Sequence, residues 1–355
     1  MNIIHVPAQY PSITPTRIAF VGEAPSDEEN NKGIPLIGPS GKVFNAMLRT
    51  AGLNREEYMV TNVFDEQLPD NEVAAWCMPL KEARERGCTD LPPIGEAGFL
   101  RPEYRWHLDR LRKELLDVQP NVIVPLGGTA LWALTGATGI SAQRGSIQAA
   151  TRILPGAKLV PTFHPAFIIK QWKLFHVVVG DFHKAEAEAR RGPKIILPHR
   201  ELFIEPTLEE FRAYVPMLLS SELLSVDIET GWGQITCIGF APDTDHAICI
   251  PFVDTRNASR SYWKDPEEEI QAWGIVKQIM ESPTPKLGQN FAGYDAYWFL
   301  KQMGIAPRNL LHDTRLLHHA LYPELPKTLA FMGASYTQQG SWKDWAYRKG
   351  DKKDD

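Results

Sequence analysis

IAFVGEAPSDEENNKGIPLIGPSG, residues 18–41, decides how the first half of this chain is read. Ile18 to Val21 is a short apolar run of the kind that forms a buried strand. It empties into a loop carrying Glu23 and Pro25. A helix is expected from Ser40–Gly41, because Val43, Phe44, Met47, Leu48 and Ala51 share one face, with Ser40 as its N-cap and Gly52 as its stop. Strand, carboxylate-bearing loop and helix N-terminus together form a cup for a polar or anionic ligand at a strand's carboxyl end.

Outward from that stretch, Tyr58 to Val63 reads as a second strand ending on Asn62. Residues 64–102 lose periodicity and are rich in Pro, Gly and charge, so they read as an irregular insertion. Tyr104, Leu108, Leu111 and Leu115 mark an amphipathic helix that feeds a third strand, Asn121–Leu126, with Gly127–Gly128 opening another helix. Lys158 to Phe163 is a fourth strand, delivering His164–Pro165. A last helix carries Phe175, Val178, Val179, Phe182 and Ala189 on one face and stops at Gly192–Pro193. Strands alternating with helices predict a three-layer, mostly parallel α/β domain over residues 1–192. Residues 193–206, with three prolines and little pattern, read as a linker. From 207 to 355 the order changes: three strands in quick succession (Leu223–Ile228, Ile235–Ala241, His246–Phe252), a helix around Glu267–Met280, a strand Lys286–Gln289 and a helix from Tyr294. A meander followed by βα units is an α+β or RNase H-like order.

The 355 residues exceed one ordinary core, in keeping with two domains. No apolar run approaches membrane-spanning length, and Met1–Ser12 lacks the order of a signal peptide. The four cysteines (Cys77, Cys88, Cys237, Cys249) include no CxxC pair, which argues against a disulfide framework or zinc ribbon and for a reducing cytoplasm. The net charge of −5 does not advertise nucleic-acid binding, but local basic stretches such as Arg101–Lys113 and Lys184–Lys194 are compatible with phosphate contact.

Three polar groups, Glu23, Asn62 and His164, fall at the carboxyl ends of three expected strands and converge on one cleft if those strands are neighbours. The pieces GEAPS (22–26), GxPxxGxSG (33–41), AGLNREEYMVTNV (51–63), NVIVPLGGTAL (121–131), Arg144–Gly145 and TFHPA (162–166), in this order, resemble the uracil-DNA glycosylase superfamily, in the branch that includes the thermophilic iron–sulfur enzymes. The resemblance implies that Glu23 orients or activates water, that Asn62 reads the uracil edge and that His164 stabilises the leaving base. Gly22, Ala24, Pro25, Ser26, Leu36 and Pro165 complete the implied substrate site. Breaking the N-glycosidic bond puts positive charge on the sugar and negative charge on the uracil. A donor aimed at uracil O2 and a carboxylate facing the sugar meet both demands, once the base has been flipped out of the stack.

Two departures stand out. The relatives' cluster cysteines are missing, with Asp65 to Gln67 in the neighbourhood of the third, so no iron–sulfur centre is expected. Leu36 stands where relatives stack a phenylalanine on the flipped base, and leucine keeps only part of the roughly 1–3 kcal/mol such stacking supplies.

In the second domain VDIET (226–230) sets Asp227 and Glu229 two apart on a strand, hence on one face. Asn290, Tyr294 and Asp295 fit N-x3-[FY]-D at a helix start, and HDTRLLHHALYP (312–323) follows. Over about 205–337 this resembles the 3′–5′ proofreading exonuclease domain of family A DNA polymerases. The resemblance implies two Mg²⁺ ions at Asp227, Glu229 and Asp295, activating water and stabilising the leaving 3′ oxygen. Relatives complete that site with Y-x3-D on a late helix. Tyr347 and Asp351 have the spacing, but YRKGDKKDD offers no apolar face, so a truncated, incomplete exonuclease is expected.

The sequence therefore points to a cytoplasmic, non-membrane protein of a bacterial or phage-infected cell. It acts on DNA, on single strands or primer 3′ ends, alone or with a DNA polymerase domain or subunit. A non-catalytic module that senses uracil for such a polymerase is the rival reading.

Overall fold

The computed structural model describes residues 4–12 and 17–338. Tyr347 and Asp351 lie outside them. The chain divides into two compact units. Residues 197–329 form the second, and residues 330–338 return to the first, which runs to Ile196.

The first unit is built on a five-stranded sheet: β1 (Ile18–Gly22), β2 (Met59–Asn62), β3 (Val122–Pro125), β4 (Gln148–Ala149) and β5 (Lys158–Leu159), in the order β2-β1-β3-β5-β4. All neighbours are parallel except β4, which runs antiparallel to β5. Alternation along β1 separates two layers of helices. Phe20 meets Phe44 of α2 (Pro39–Thr50) at 5.2 Å and Phe182 of α6 (Phe175–Arg190) at 5.1 Å between ring centroids. Ala19 and Val21 pack in a separate cluster with Leu111 and Leu115 of α3 (Trp106–Val118) and Trp132 of α4 (Gly128–Thr135). This is the three-layer αβα arrangement, with both faces of the sheet covered.

Sequence and structure differ in detail here. The N-cap of α2 is Gly38 rather than Ser40, because Pro39 takes the first helical position, where its missing N–H and fixed φ cost nothing. Two short helices escape the periodicity: α1 (Asp27–Lys32) and α5 (Pro165–Lys170). The expected irregular insertion carries a short helix, Leu80–Glu85, and a two-residue ladder of Cys77–Met78 with Phe99–Leu100.

The second unit has a six-stranded sheet: β6 (Glu201–Ile204), β7 (Leu224–Gly231), β8 (Gln234–Ala241), β9 (His246–Pro251), β10 (Lys286–Gly288) and β11 (Leu310–Asp313), ordered β11-β10-β7-β8-β9-β6. An antiparallel β7-β8-β9 meander joined by parallel β10 and β11 on the β7 side is the RNase H-like topology. β6 lies within the stretch read as a linker. It pairs in parallel with β9, with Leu202 and Ile204 exposed. Helices α7 (Leu208–Leu219), α8 (Pro266–Met280), α9 (Asp295–Met303) and α10 (Thr314–Leu321) complete the unit. Val226 and Ile228 share the core with Phe211 and Ile279, which turns Asp227 and Glu229 to the opposite face. Among the described residues no helix is long and apolar enough to cross a membrane. A last helix, α11 (Leu329–Tyr336), follows.

Candidate active site

β1, β3 and the segment after β5 end side by side, and their ends make a cleft of about 290 Å³ lined by Glu23, Leu126, Gly127, Gly128, His164, Ala166, Phe167 and Lys170. Leu126 bridges Thr162 in parallel, and Gly127 N–H donates to Thr162 O at 2.9 Å, which brings the start of α4 against the residues that deliver His164. Gly127 has φ +91°, and a Cβ there would lie 3.0 Å from His164 Cβ. Only glycine satisfies both the backbone and the approach of the ring.

His164 is the N-cap of α5, and its Nδ1 accepts the Ala166 N–H at 3.2 Å. A ring nitrogen that accepts carries no proton, so the neutral ring holds its proton on Nε2. The residue keeps some surface at the cleft, yet the ring is enclosed by protein, and burial pushes its pKa down to about 4. The imidazole is thus a neutral donor across the physiological range. Glu23 follows β1 directly. Thr129, in the first turn of α4, donates its hydroxyl to Glu23 Oε2. Burial raises the carboxyl pKa, the Thr129 bond offsets part of this, and Glu72 adds to the rise.

Asn62 ends β2 in register with Gly22 of β1. Its side chain lies so close over Gly22 that a Cβ there would come within 2.3 Å of Asn62 Oδ1. That oxygen is buried and takes no hydrogen bond among the described residues. Asn62 therefore neighbours the strand that carries Glu23, but it is sealed rather than lining the cleft. Leu36 is also buried, at 2 % exposure, with φ +51°. The leucine packs inside its loop instead of standing open where a stacking side chain would be. Of the remaining expected residues, Gly22 ends β1, Ser26 caps α1, and Pro165 takes the first position of α5. Ala24 and Pro25 lie between β1 and that cap.

Sequence reasoning missed the residues that hold this frame. Buried Glu29 accepts Ser26 N–H at 2.6 Å and Ile37 N–H at 3.0 Å, tying the two ends of the loop together. Arg55 donates to the carbonyls of Leu36 (2.6 Å) and Pro35 (2.5 Å), to Asn45 Oδ1 (3.0 Å) and to Gln9 Oε1 (2.9 Å). Arg110 donates to Asn62 O at 2.6 Å and Val63 O at 3.0 Å, fixing the end of β2. The S-x-x-E spacing of Ser26 and Glu29 is a capping-box signal that was legible. The two arginines had none.

The neighbourhood read as replacing the third cluster cysteine holds Asp65. Its carboxylate lies 2.8 Å from Nδ1 of fully buried His107 and 3.1 Å from Nδ1 of His5. Burial pushes the Asp65 pKa up, but His107, Arg110 and His5 outweigh it and leave it below the usual carboxylate range. Cys77 is buried with its thiol pushed up to about 11, chiefly by burial, and Cys88 donates its Sγ–H to Arg86 O at 3.2 Å. These residues do not fit a four-thiolate cluster.

In the second unit Asp227 and Glu229 share a face of β7, and buried Asp295 opens α9, where its Oδ1 accepts Ile228 N–H at 3.1 Å. Partial desolvation, with Glu229 adding repulsion, pushes Asp227 up to about 6, although the residue is exposed at the surface of β7. Burial and the Asp227 charge push Asp295 up to about 6. Asp227 is repelled by Glu229 and in turn repels Asp295, and carboxylate oxygens are the donors a hard divalent cation prefers. Asp313 is committed elsewhere, its Oδ1 accepting the N–H groups of Asn290, Arg315 and Leu316. Asn290 (φ +58°) accepts from Arg315 at 2.7 Å, and the Tyr294 hydroxyl meets Thr230 Oγ1 at 2.6 Å. Among the described residues the three donors that converge within 4.8 Å are His5, Asp65 and Glu66, in the first unit; Asp227, Glu229 and Asp295 do not come together that closely.

The family model of the uracil DNA glycosylase superfamily matches residues 9–188, half of the chain and the whole of the cleft just described. The chain belongs to that superfamily. A type-4 uracil-DNA glycosylase of Thermotoga maritima is 30% identical over 176 residues, covering 48% of this chain and 77% of the relative. A DNA polymerase of Bacillus phage SP01 is 24% identical over 221 residues, which is 60% of this chain and 21% of the polymerase. Among solved structures, Escherichia coli RNase D is 18% identical, with a TM-score of 0.29, over 43% of this chain and 38% of that one. The chain thus spans about two fifths of that solved chain.

Proposed function

We propose that the first unit excises uracil, or a closely related pyrimidine, from DNA by N-glycosidic hydrolysis. The observation that carries this reading is the shared cleft in which Glu23 and a neutral, Nε2-protonated His164 face the same space. As the C1′–N1 bond breaks, its electron pair goes to the departing uracil, and the Nε2–H of His164 donates to the oxyanion that develops there. Ionised Glu23 faces the sugar cation and holds the water whose oxygen joins C1′. Asn62, with an unused buried acceptor next to Gly22, reads the pyrimidine edge once base entry exposes it. Exposed Phe167, Ile169 and Trp172 beside Lys170 form the rim suited to single-stranded or flipped DNA.

For the second unit we infer a 3′-end site like that of proofreading exonucleases in family A polymerases. Asp227, Glu229 and Asp295 would hold Mg²⁺, which would supply an activated water and charge neutralisation at the 3′ oxygen. Asn290 and Tyr294 stand beside them. Tyr347 and Asp351, the candidates to complete the set, lie outside the described residues; the stretch that carries them, YRKGDKKDD, offers no apolar face to dock a helix, and for that reason trimming is expected to be slow. The phage polymerase match supports a replication or repair context with a polymerase partner.

Labelled single strands containing uracil separate the two activities. Incubation in EDTA should still produce abasic sites, whereas shortening from the 3′ end should require Mg²⁺. Excision that itself requires Mg²⁺, or free uracil appearing only with strand shortening, contradicts this division.

A further inference from the structure

Arg144–Gly145 belongs to the sequence pieces that carry the family resemblance, yet neither residue lines the cleft. Arg144 is 2 % exposed, and each of its three side-chain nitrogens makes an internal hydrogen bond. Nε and Nη2 bond Asp181 at 3.1 and 2.5 Å, and Nη1 donates to the hydroxyl of Ser335 at 3.0 Å. The guanidinium also lies 5.0 Å from the ring centre of Phe331. Both Ser335 and Phe331 are on α11, the helix that follows the second unit in the chain. Lys184 bonds the carbonyls of Gly145 (2.7 Å), Ala334 and Thr337 (2.7 Å), so it ties the end of α11 to the Arg144–Gly145 turn. Gly145 has φ +67°, and a Cβ would stand 2.9 Å from Ala334 O and 2.7 Å from Asp181 Oδ1. Glycine is what lets α11 lie this close.

The same network reaches the cleft. Thr162, fully buried, donates its hydroxyl to Asp181 Oδ2 at 2.6 Å. Its carbonyl accepts Gly127 N–H, its N–H donates to Pro125 O at 3.0 Å, and Gly145 N–H donates to Pro161 O at 2.7 Å. Thr162 stands two residues before His164. An unbroken chain of hydrogen bonds, buried from Arg144 onward, therefore runs from Ser335 through Arg144, Asp181 and Thr162 to the strand end that presents the imidazole. Buried polar networks fix one geometry when every member is satisfied.

We propose that α11 is a positioning element of the glycosylase site: docked on Arg144, it sets the strand end that aims His164. Residues 330–338 then act as part of the first unit's active-site frame, although the whole second unit precedes them in the chain. The catalytic half of this statement rests on the proposed excision activity, whereas the positional half does not.

The test uses the full chain with ¹⁵N-labelled histidine, the His164 ring signals being assigned by their loss in His164→Ala. In the double variant Phe331→Ala/Ser335→Ala those ring signals should shift. Uracil excision in EDTA should fall about tenfold in kcat with the KM for DNA within twofold of wild type. Ser335→Thr, which keeps the hydroxyl, should stay close to wild type on both readouts. If the double variant does not fold, Ser335→Ala alone is read the same way, with a loss of about threefold. Unmoved ring signals with undiminished excision in a folded variant overturn the proposal. If wild-type protein releases no uracil, the excision reading fails by itself, and the ring signals alone decide whether α11 positions His164.

Discussion

His164 shows how a single hydrogen bond sets a chemical role. Because its Nδ1 accepts from Ala166, the ring is held neutral with the proton on Nε2, and burial lowers its pKa to about 4. An unfolded histidine titrates near 6.5, so between those values the unfolded chain binds the extra proton, and stability falls as pH drops through that window. The melting advantage of wild type over His164→Gln should therefore shrink between pH 7 and pH 4.5; a constant difference would show that the ring is not held neutral. The carboxylates of the second unit behave oppositely. Asp227 and Asp295 are raised to about 6, so the folded state holds protons that the unfolded state has released, and stability is lost as pH rises through 6. Without metal the second unit should melt lower at pH 7.5 than at pH 5, and Mg²⁺ should restore it; Asp295→Asn should flatten both effects. A melting point indifferent to Mg²⁺ would argue against cation binding there. Residue types at strand ends were legible because a strand's exit can be read from an apolar run. Whether Asn62 and Leu36 face the cleft or the interior was not, since that depends on tertiary packing around each of them rather than on the local pattern.

Loops and short elements are where sequence and structure part. Strands β1, β2, β3, β7, β8 and β9 could be located from hydrophobic period, because each buries whole apolar faces that a polar residue would disrupt. The six-residue helices α1 and α5 are too short to show a period, and β6 was hidden by the prolines around it. The loop of residues 23–41 illustrates what such gaps conceal. Its shape rests on Glu29 and Arg55, which bond its backbone from inside and hold Leu36 in a left-handed conformation. Arg55→Ala should lower the stability of the first unit by about 2 kcal/mol, since several carbonyl and amide acceptors lose their donor at once. Arg55→Lys should not restore it, because a single ammonium cannot span both carbonyls as the guanidinium fork does. Chemical denaturation of the two variants checks this, and a loss below about 0.5 kcal/mol for the alanine variant would mean the loop holds itself. Leu36→Phe, attractive as a stacking replacement, enters a site with 2 % exposure, where overpacking costs ~1–3 kcal/mol.

At the scale of the molecule, the two domain types were readable from the change in element order, alternating βα in one and a meander in the other. The return of residues 330–338 to the first unit was not, because nothing in an eight-residue helix names its partner. The chain joins an αβα unit of the uracil-DNA glycosylase superfamily to an RNase H-like unit that carries Asp227 and Glu229 on one strand face and Asp295 at a helix start. The proposed division of labour places metal-independent chemistry in the first and metal-dependent chemistry in the second. Trimming by the whole chain should accordingly be slow; brisk Mg²⁺-dependent trimming abolished by Asp351→Ala would promote Tyr347 and Asp351 to the site. The most direct measurement of the central claim is single-turnover release of uracil from a labelled single strand in EDTA, comparing wild type with His164→Ala. Loss of a preorganised donor should slow release by ~10²–10³-fold while DNA binding persists. Equal rates for the two proteins would contradict the assignment of His164 and, with it, the proposed site.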